Sequence, residues 1–252
     1  MQDRGLAAYI AELLGTFFLV FGITLVGVLF IAVGDNASFG SDFAVVGLTY
    51  AFILTALIFA FGGASGGHFN PAVTLGAALM KKIAPVDAVI YILAQLSGGV
   101  LGALMTKALL EDEGRAANYG AVSISPLLSG NFAGAVVECL GTFLLVLTVL
   151  AIALGVRAVK DWAPLAIGLA LGVVGLILVP LTGGAVNPAR WFGPALVSGE
   201  WGGVWPYLVG EIVGAILAFV VYKFVIAPGS GGKADASGVE AKKPSTIPSP
   251  EA

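Results

Sequence analysis

The sequence has few of the residues that soluble proteins place at their surface and that enzymes use for chemistry. Of its 252 residues, 11% are charged, whereas soluble domains carry about 25%. Cys139 is the only cysteine and His68 the only histidine, which excludes an intramolecular disulfide and a metal site built from several such residues. No acid–base or nucleophile pair stands out, so we expect neither an enzyme nor a cofactor or metal. No basic cluster indicates a nucleic-acid partner.

The chain is instead rich in long apolar runs, since 58% of its residues are hydrophobic and its mean hydropathy is +1.00. A helix of about 20 apolar residues crosses the roughly 30 Å hydrocarbon core of a bilayer. The first run is too long for a signal peptide and has no cleavage site, so we expect it to be retained. The sequence therefore predicts an all-α, multi-pass protein of the lipid bilayer with six spanning helices, at about 8–32, 43–62, 86–110, 131–155, 163–181 and 204–227.

The positive charges predict an orientation. If the N-terminus is cytoplasmic and six helices alternate, most Lys and Arg residues lie on the cytoplasmic side, as the positive-inside rule requires. They are Arg4, Lys81, Lys82, Arg157, Lys160, Lys223, Lys233, Lys242 and Lys243, against Lys107, Arg115 and Arg190 on the other side. We expect both termini to lie in the cytoplasm. We expect the protein itself to lie in the inner or plasma membrane of the cell.

The two halves of the sequence are similar to each other. The segment AELLGTFFLV matches VECLGTFLLV and pairs Glu12 with Glu138, and YILAQLSGGVLGA matches YLVGEIVGAILA and pairs Gln95 with Glu211. Each half contains three spanning segments, an odd number, so the second copy must be inverted relative to the first. The chain is thus predicted to be an inverted repeat of two three-helix units.

These units predict the domain organisation. Repeat one covers about 8–110 and repeat two about 131–228, within one membrane domain at 1–228. Residues 229–252 are rich in Gly, Ser, Pro, Ala and Lys and lack the apolar residues of a core, so we predict a disordered cytoplasmic tail.

An Asn-Pro-Ala segment occurs at the matching place in each repeat, in GGHFNPAVTLG and GGAVNPARWFG. Asn favours the N-cap of a helix and Pro its first position, so each segment predicts the start of a short helix, at about 71–80 and 188–198. Two inverted half-helices would direct the positive ends of their dipoles at each other near the membrane centre. The predicted pore residues are Asn70, Pro71, Ala72, Asn187, Pro188 and Ala189.

The segments SGGHFNPAVTLG, TGGAVNPARWFGPAL, AELLGT and VECLGT together resemble the major intrinsic protein family, the aquaporins and aquaglyceroporins, over about residues 8–228. The resemblance implies an aquaporin-like fold of six transmembrane helices and two re-entrant half-helices. It also implies Asn-Pro-Ala loops that meet at mid-pore, a narrower constriction on the extracellular side, and a homotetramer with one pore in each subunit.

The resemblance implies that this constriction, the selectivity filter, is formed by Tyr50, Gly175, Gly184 and Arg190, because these residues have the matching spacing to the loops. Water-selective members usually have a histidine at the position of Gly175. The two glycines predict a passage wider than a water-only filter, and Gly175→His is expected to narrow it. Trp191 after Arg190 departs from standard glycerol facilitators.

We therefore expect a passive channel for water, with small uncharged solutes such as glycerol or other hydroxylated molecules as co-substrates, that excludes ions and protons. An alternative is a channel mainly for small neutral solutes or metalloid acids, with water as a minor substrate, because Tyr207 and Leu208 resemble a pair in plant-type members that pass such acids. A coupled secondary transporter also uses inverted repeats and broken helices, and a purely structural membrane protein is a further alternative.

Several other polar residues have predicted supporting roles. Glu12 and Glu138 are expected to accept hydrogen bonds from the loop backbone, a role that the resemblance also implies, and His68 to brace its loop rather than gate it. Trp191 is expected to pack against a neighbouring helix, and Glu211 to make a polar contact within the bundle.

Overall fold

The computed structural model describes residues 5–32, 41–155 and 158–229. The predicted tail, apart from residue 229, lies outside the described residues and stays a prediction. Also outside them are five of the charges that predict the orientation, Arg4, Arg157, Lys233, Lys242 and Lys243.

Helices and turns account for all of the regular structure, and the described ranges contain no β-strand. In chain order the helices are α1 (Leu6–Gly27), α2 (Asp42–Ser65), α3 (Pro71–Leu79), α4 (Pro85–Leu109), α5 (Glu111–Ala116), α6 (Asn131–Thr148), α7 (Ala163–Thr182), α8 (Pro188–Ser198), α9 (Val204–Val221) and α10 (Ala227–Gly229). Short π-helical segments, Val28–Ala32, Val149–Ala153 and Tyr222–Ile226, continue α1, α6 and α9.

Six helices, α1, α2, α4, α6, α7 and α9, are long and apolar enough to cross a membrane. The predicted all-α membrane fold with six spanning helices is confirmed. The predicted ends differ by a few residues, most clearly in α2, which continues to Ser65 rather than residue 62. Gly66 ends this helix because its left-handed backbone, with φ of 94°, turns the chain out of the helix.

The helices α3 and α8 are too short to span the membrane. They contain 9 and 11 residues, which at 1.5 Å per residue gives about 14 and 17 Å, roughly half of the hydrocarbon thickness. Each can therefore reach only part of the way through the bilayer. Both begin at the predicted Asn-Pro-Ala segments.

The two repeats pack together through equivalent helices. Within the repeats, α1 lies along α4 and α6 lies along α9. Between them, α2 packs against α7, α3 against α9 and α4 against α8. Each half-helix therefore rests on the third spanning helix of the other repeat, and this exchange brings the starts of α3 and α8 together inside the bundle.

Candidate pore and its lining

The two Asn-Pro-Ala segments begin their helices in the same way. Asn70 caps α3, since its side-chain oxygen accepts a hydrogen bond from the Ala72 N–H at 2.8 Å. Asn187 caps α8 through the same bond from the Ala189 N–H at 2.9 Å. A proline follows each Asn at the first helical position, where its missing N–H removes no helical hydrogen bond.

Each asparagine amide also crosses to the other loop. Asn70 Nδ2 donates to the Val186 carbonyl at 2.8 Å, and Asn187 Nδ2 donates to the Phe69 carbonyl at 2.9 Å. Phe69 and Val186 have φ of 47° and 43°, a left-handed conformation that is rare for bulky and β-branched residues. Because an amide nitrogen has two hydrogens, each Asn keeps a second one after this bond.

Glu12 of α1 holds the first loop from behind. It is fully buried, and its carboxylate accepts hydrogen bonds from Ser65 Oγ (2.6 Å), His68 N (2.9 Å) and Phe69 N (2.6 Å). Non-helical backbone inside a membrane needs such partners, because no water reaches it from the lipid side.

Glu138 of α6 holds the second loop through the equivalent contacts. Its carboxylate accepts from Thr182 Oγ1 (2.5 Å), Ala185 N (3.1 Å) and Val186 N (2.7 Å). The positions match those around Glu12 residue by residue, so the internal repeat extends to the hydrogen bonds.

One tyrosine completes the support of each loop. Tyr91 donates its hydroxyl to the Ser65 carbonyl at 2.7 Å, and Tyr207 donates to the Thr182 carbonyl at 2.8 Å. Both are almost fully buried. Their matching places in the repeat, in the segments that also align Gln95 with Glu211, were the available signal.

Three cavities follow one another through the bundle. A wide cavity of ≈ 450 Å³ reaches from Tyr50 and Gly120 to Arg190. Arg190 also lines a narrow cavity of ≈ 20 Å³, together with Asn70, Asn187 and His68. His68 in turn borders a third cavity of ≈ 460 Å³ at the opposite end. The shared residues place the three cavities in a row that passes both capping asparagines, and we refer to this row as the path.

Arg190 occupies the boundary between the first wide cavity and the narrow one. Its Nη1 donates to the Gly120 carbonyl at 2.8 Å, and its Nη2 lies 3.4 Å from the Tyr50 hydroxyl. Tyr50 in turn donates to the Gly183 carbonyl at 3.1 Å. Only 6% of the Arg190 surface is exposed. Because Arg190 lines the narrow cavity, it places a positive charge there.

The sequence profile described as "Major intrinsic protein" matches residues 2–222. The chain belongs to this family. It is 37% identical to the glycerol uptake facilitator protein-like 6 of Lactiplantibacillus plantarum over 83% of this chain and 94% of that protein. It is 35% identical to the aquaporin AqpM of Methanothermobacter thermautotrophicus, over 86% of this chain and 96% of that one.

A solved structure supports the fold of this major intrinsic protein. The aquaglyceroporin from Plasmodium falciparum superposes with a TM-score of 0.75, covering 88% of this chain and 97% of that chain at 24% sequence identity. The six spanning helices and two half-helices are therefore arranged as in a member of the family.

In this major intrinsic protein, Gly175 of α7 faces α2 closely. A Cβ atom there would lie 2.8 Å from the Gly47 Cα and 3.1 Å from the Tyr50 Cγ. Tyr50 thus takes the space that the missing side chain leaves, which weakens the expectation that Gly175 widens the passage. Gly184 has φ of 54°, and a Cβ on it would meet Val179.

We expect Gly175→Ala to destabilise the protein by about 1–3 kcal/mol, because overpacking against backbone cannot be relieved by a rotamer change. Thermal unfolding in detergent would measure this, with Gly63→Ala in α2 as the control, since no atom lies within 4 Å of a Cβ there. Equal melting temperatures for the two variants would contradict the tight contact. Gly175→His is therefore expected to misplace α2 rather than to narrow an open filter.

The remaining predicted residues lie around the loops. His68 Nδ1 is 3.1 Å from Thr74 Oγ1, so its ring contacts the half-helix α3 and also borders the path. Trp191 is buried and packs with Tyr207 outside the narrow cavity, as expected for a packing residue. Glu211 makes the polar contact expected of it, and its partners are Asn187 and Trp191.

Proposed function

We propose that this protein is a passive channel that conducts water together with small uncharged solutes such as glycerol, and that excludes ions and protons. The observation that carries the proposal is the row of adjoining cavities past Arg190 and both capping asparagines. It is supported by relatives named as an aquaporin and as a glycerol uptake facilitator.

The polar groups along the path favour neutral, oxygen-bearing molecules. The starts of α3 and α8 each carry about half a positive charge from the helix dipole, and both Asn70 and Asn187 retain an amide hydrogen for a passing oxygen. Aquaporin-type selectivity is generally attributed to pore diameter, lining donors, an arginine and half-helix dipoles. A cation would meet all of these positive groups in a passage too narrow for its hydration shell.

The buried carboxylates argue against coupled transport. Glu12, Glu138 and Glu211 each accept hydrogen bonds from loop groups, and none of them lines the narrow cavity. A coupled transporter needs an ion-binding or titrating group at the substrate site. The structural role of these carboxylates thus favours the passive channel over the transporter.

The filter residues, the domain bounds, the orientation and the assembly are proposed from the sequence. We place the filter at Tyr50, Gly175, Gly184 and Arg190, with Gly175 acting through its contact with Tyr50. The channel domain comprises residues 1–228 and the tail 229–252, with both termini in the cytoplasm. Four copies assemble in the plasma or inner membrane, each with its own pore.

Stopped-flow light scattering on proteoliposomes tests the proposal. Vesicles that contain the full chain should shrink in sucrose faster than empty vesicles and should reswell in glycerol. Shrinkage at the rate of empty vesicles would contradict the water channel. Fast shrinkage with no reswelling would show that the channel conducts water but not glycerol, and would contradict the solute part of the proposal.

Arg190→Ala is expected to raise the ratio of glycerol to water permeability about tenfold, because removing the guanidinium widens the passage and lowers the barrier for the larger solute by about 1–2 kcal/mol. The ratio is measured by reswelling and shrinkage of the same vesicles. Arg115→Ala is the matched control, since Arg115 is exposed and pairs with Glu111 on the surface. An unchanged ratio of glycerol to water permeability in Arg190→Ala would show that Arg190 is not part of the filter.

A further inference from the structure

The two repeats differ at one buried polar position in their third spanning helices. Gln95 in α4 and Glu211 in α9 are aligned by the repeat, and both are fully buried. The first half-helix carries Thr74 where the second carries Trp191. Residues 74 and 95 contact each other in repeat one, and residues 191 and 211 contact each other in repeat two. The two differences therefore belong to one pair of contacting residues.

In repeat one, position 95 must donate hydrogen bonds. Gln95 Nε2 donates to Glu12 Oε2 at 2.7 Å and to Thr74 Oγ1 at 2.9 Å. A glutamate here would place a second carboxylate against Glu12 without water to screen the two charges. The neighbouring carboxylate therefore accounts for an amide at this position.

In repeat two, position 211 must accept hydrogen bonds. Glu211 Oε1 accepts from the Asn187 backbone N–H at 2.9 Å, and Oε2 accepts from Trp191 Nε1 at 3.0 Å. A glutamine offers only one acceptor oxygen and would turn its NH₂ group toward the other donor. The two donors therefore account for a carboxyl group at this position.

Glu211 thereby contacts both ends of the segment 187–191, which contains Arg190. Within that segment, the Asn187 carbonyl accepts from the Arg190 N–H at 2.9 Å and from the Trp191 N–H at 3.3 Å. The first turn of α8 is thus tied to α9 at its capping residue, Asn187, and at its fourth residue, Trp191. A displacement of either end would move the backbone that carries the Arg190 guanidinium.

We propose that Glu211 and Trp191 are positioning residues that set the place of Arg190 in the filter, and thereby the discrimination between water and larger neutral solutes. This inference rests on the proposed channel function. Repeat one has Val73 where repeat two has Arg190, and there the equivalent contact is the Thr74–Gln95 pair. The additional carboxyl–indole contact occurs in the half-helix that carries the arginine.

Two single variants test the contact from its two sides. Trp191→Phe keeps most of the apolar volume and removes the N–H donor, while Glu211→Gln keeps the volume and removes one acceptor. Both should raise the ratio of glycerol to water permeability about threefold to tenfold, the effect of losing one hydrogen bond, in the same direction as Arg190→Ala. Trp205→Phe is the matched control, because Trp205 lies in α9 and is 46% exposed.

The ratio separates positioning from a general structural role. Fewer active channels lower both permeabilities equally and leave their ratio unchanged, so an unchanged ratio in both single variants would overturn the proposal. Wild-type vesicles without accelerated water flow would instead contradict the channel function itself.

A double-mutant cycle provides a second test. Trp191→Phe combined with Glu211→Gln removes the indole N–H together with one acceptor oxygen, so the second substitution has no Glu211–Trp191 hydrogen bond left to break. The change in the permeability ratio of the double variant should therefore be smaller than the product of the two single changes. Strictly additive effects of the two substitutions on the logarithm of the permeability ratio would show that the residues act independently. That result would overturn the proposed coupling between Glu211 and Trp191.

Discussion

Glu138→Ala is expected to abolish most of the water permeability of the reconstituted channel and to lower its thermal stability strongly. The substitution leaves Thr182 Oγ1, Ala185 N and Val186 N without their acceptor inside the membrane. Each buried donor without a partner costs about 1–3 kcal/mol, so the three together cost about 3–9 kcal/mol, a large part of a typical folding free energy of 5–15 kcal/mol. Water flow per vesicle and melting in detergent measure the two effects.

Leu140→Ala is the control for this prediction, because it lies in the same helix and is 61% exposed. Glu138→Gln retains one acceptor oxygen and should give an intermediate melting temperature. If Glu138→Ala conducted water and melted like Leu140→Ala, the second loop would not depend on the carboxylate.

The parts of the site that could be predicted from the sequence are those repeated in both halves. Glu12 and Glu138 were recognisable because each is the second residue of a matching segment. The Asn-Pro dipeptides specify helix starts through local chemistry that needs no knowledge of the fold. The six helices follow from apolar length alone. In these cases the physical cause lies within a few residues along the chain, or in a pairing that the duplication displays.

The parts that could not be predicted depend on which helices meet. The space beside Gly175 is filled by Tyr50 of α2. The distance between α2 and α7 cannot be read from the sequence. The carbonyl that binds the Arg190 guanidinium belongs to Gly120, in a turn between the repeats. A backbone acceptor has no sequence signature, so this contact could be found only in three dimensions.

The contact between Glu211 and Trp191 is an intermediate case. The alignment of the repeats places Glu211 opposite Gln95, whereas the matching difference between Trp191 and Thr74 was not part of the prediction. Each half-helix lies against the third spanning helix of the other repeat, yet these two residues both belong to repeat two. A comparison of the differences between the repeats, in addition to their similarities, would have indicated the pair.

The contact between α4 and α8 gives the second large expected effect. Gly193 of α8 and Gly99 of α4 allow the two backbones to touch, since a Cβ on Gly193 would overlap the Gly99 carbonyl group and lie 2.9 Å from Val100 N. Small residues allow such close approach of helices within a membrane. Because α8 begins at Asn187 and carries Arg190, this contact also sets how deeply the filter arginine lies in the bundle.

Gly193→Val is therefore expected to leave little folded, conducting protein, and Gly193→Ala to destabilise the fold by about 1–3 kcal/mol through overpacking. Melting in detergent and water flow in vesicles measure both effects. Gly202→Ala is the control, because a Cβ at that position meets no atom within 4 Å. The neighbour of Gly193 is backbone rather than the end of a flexible side chain, so the clash can be relieved only by moving α8 away from α4. Wild-type melting of Gly193→Val would therefore show that α8 does not lie against α4.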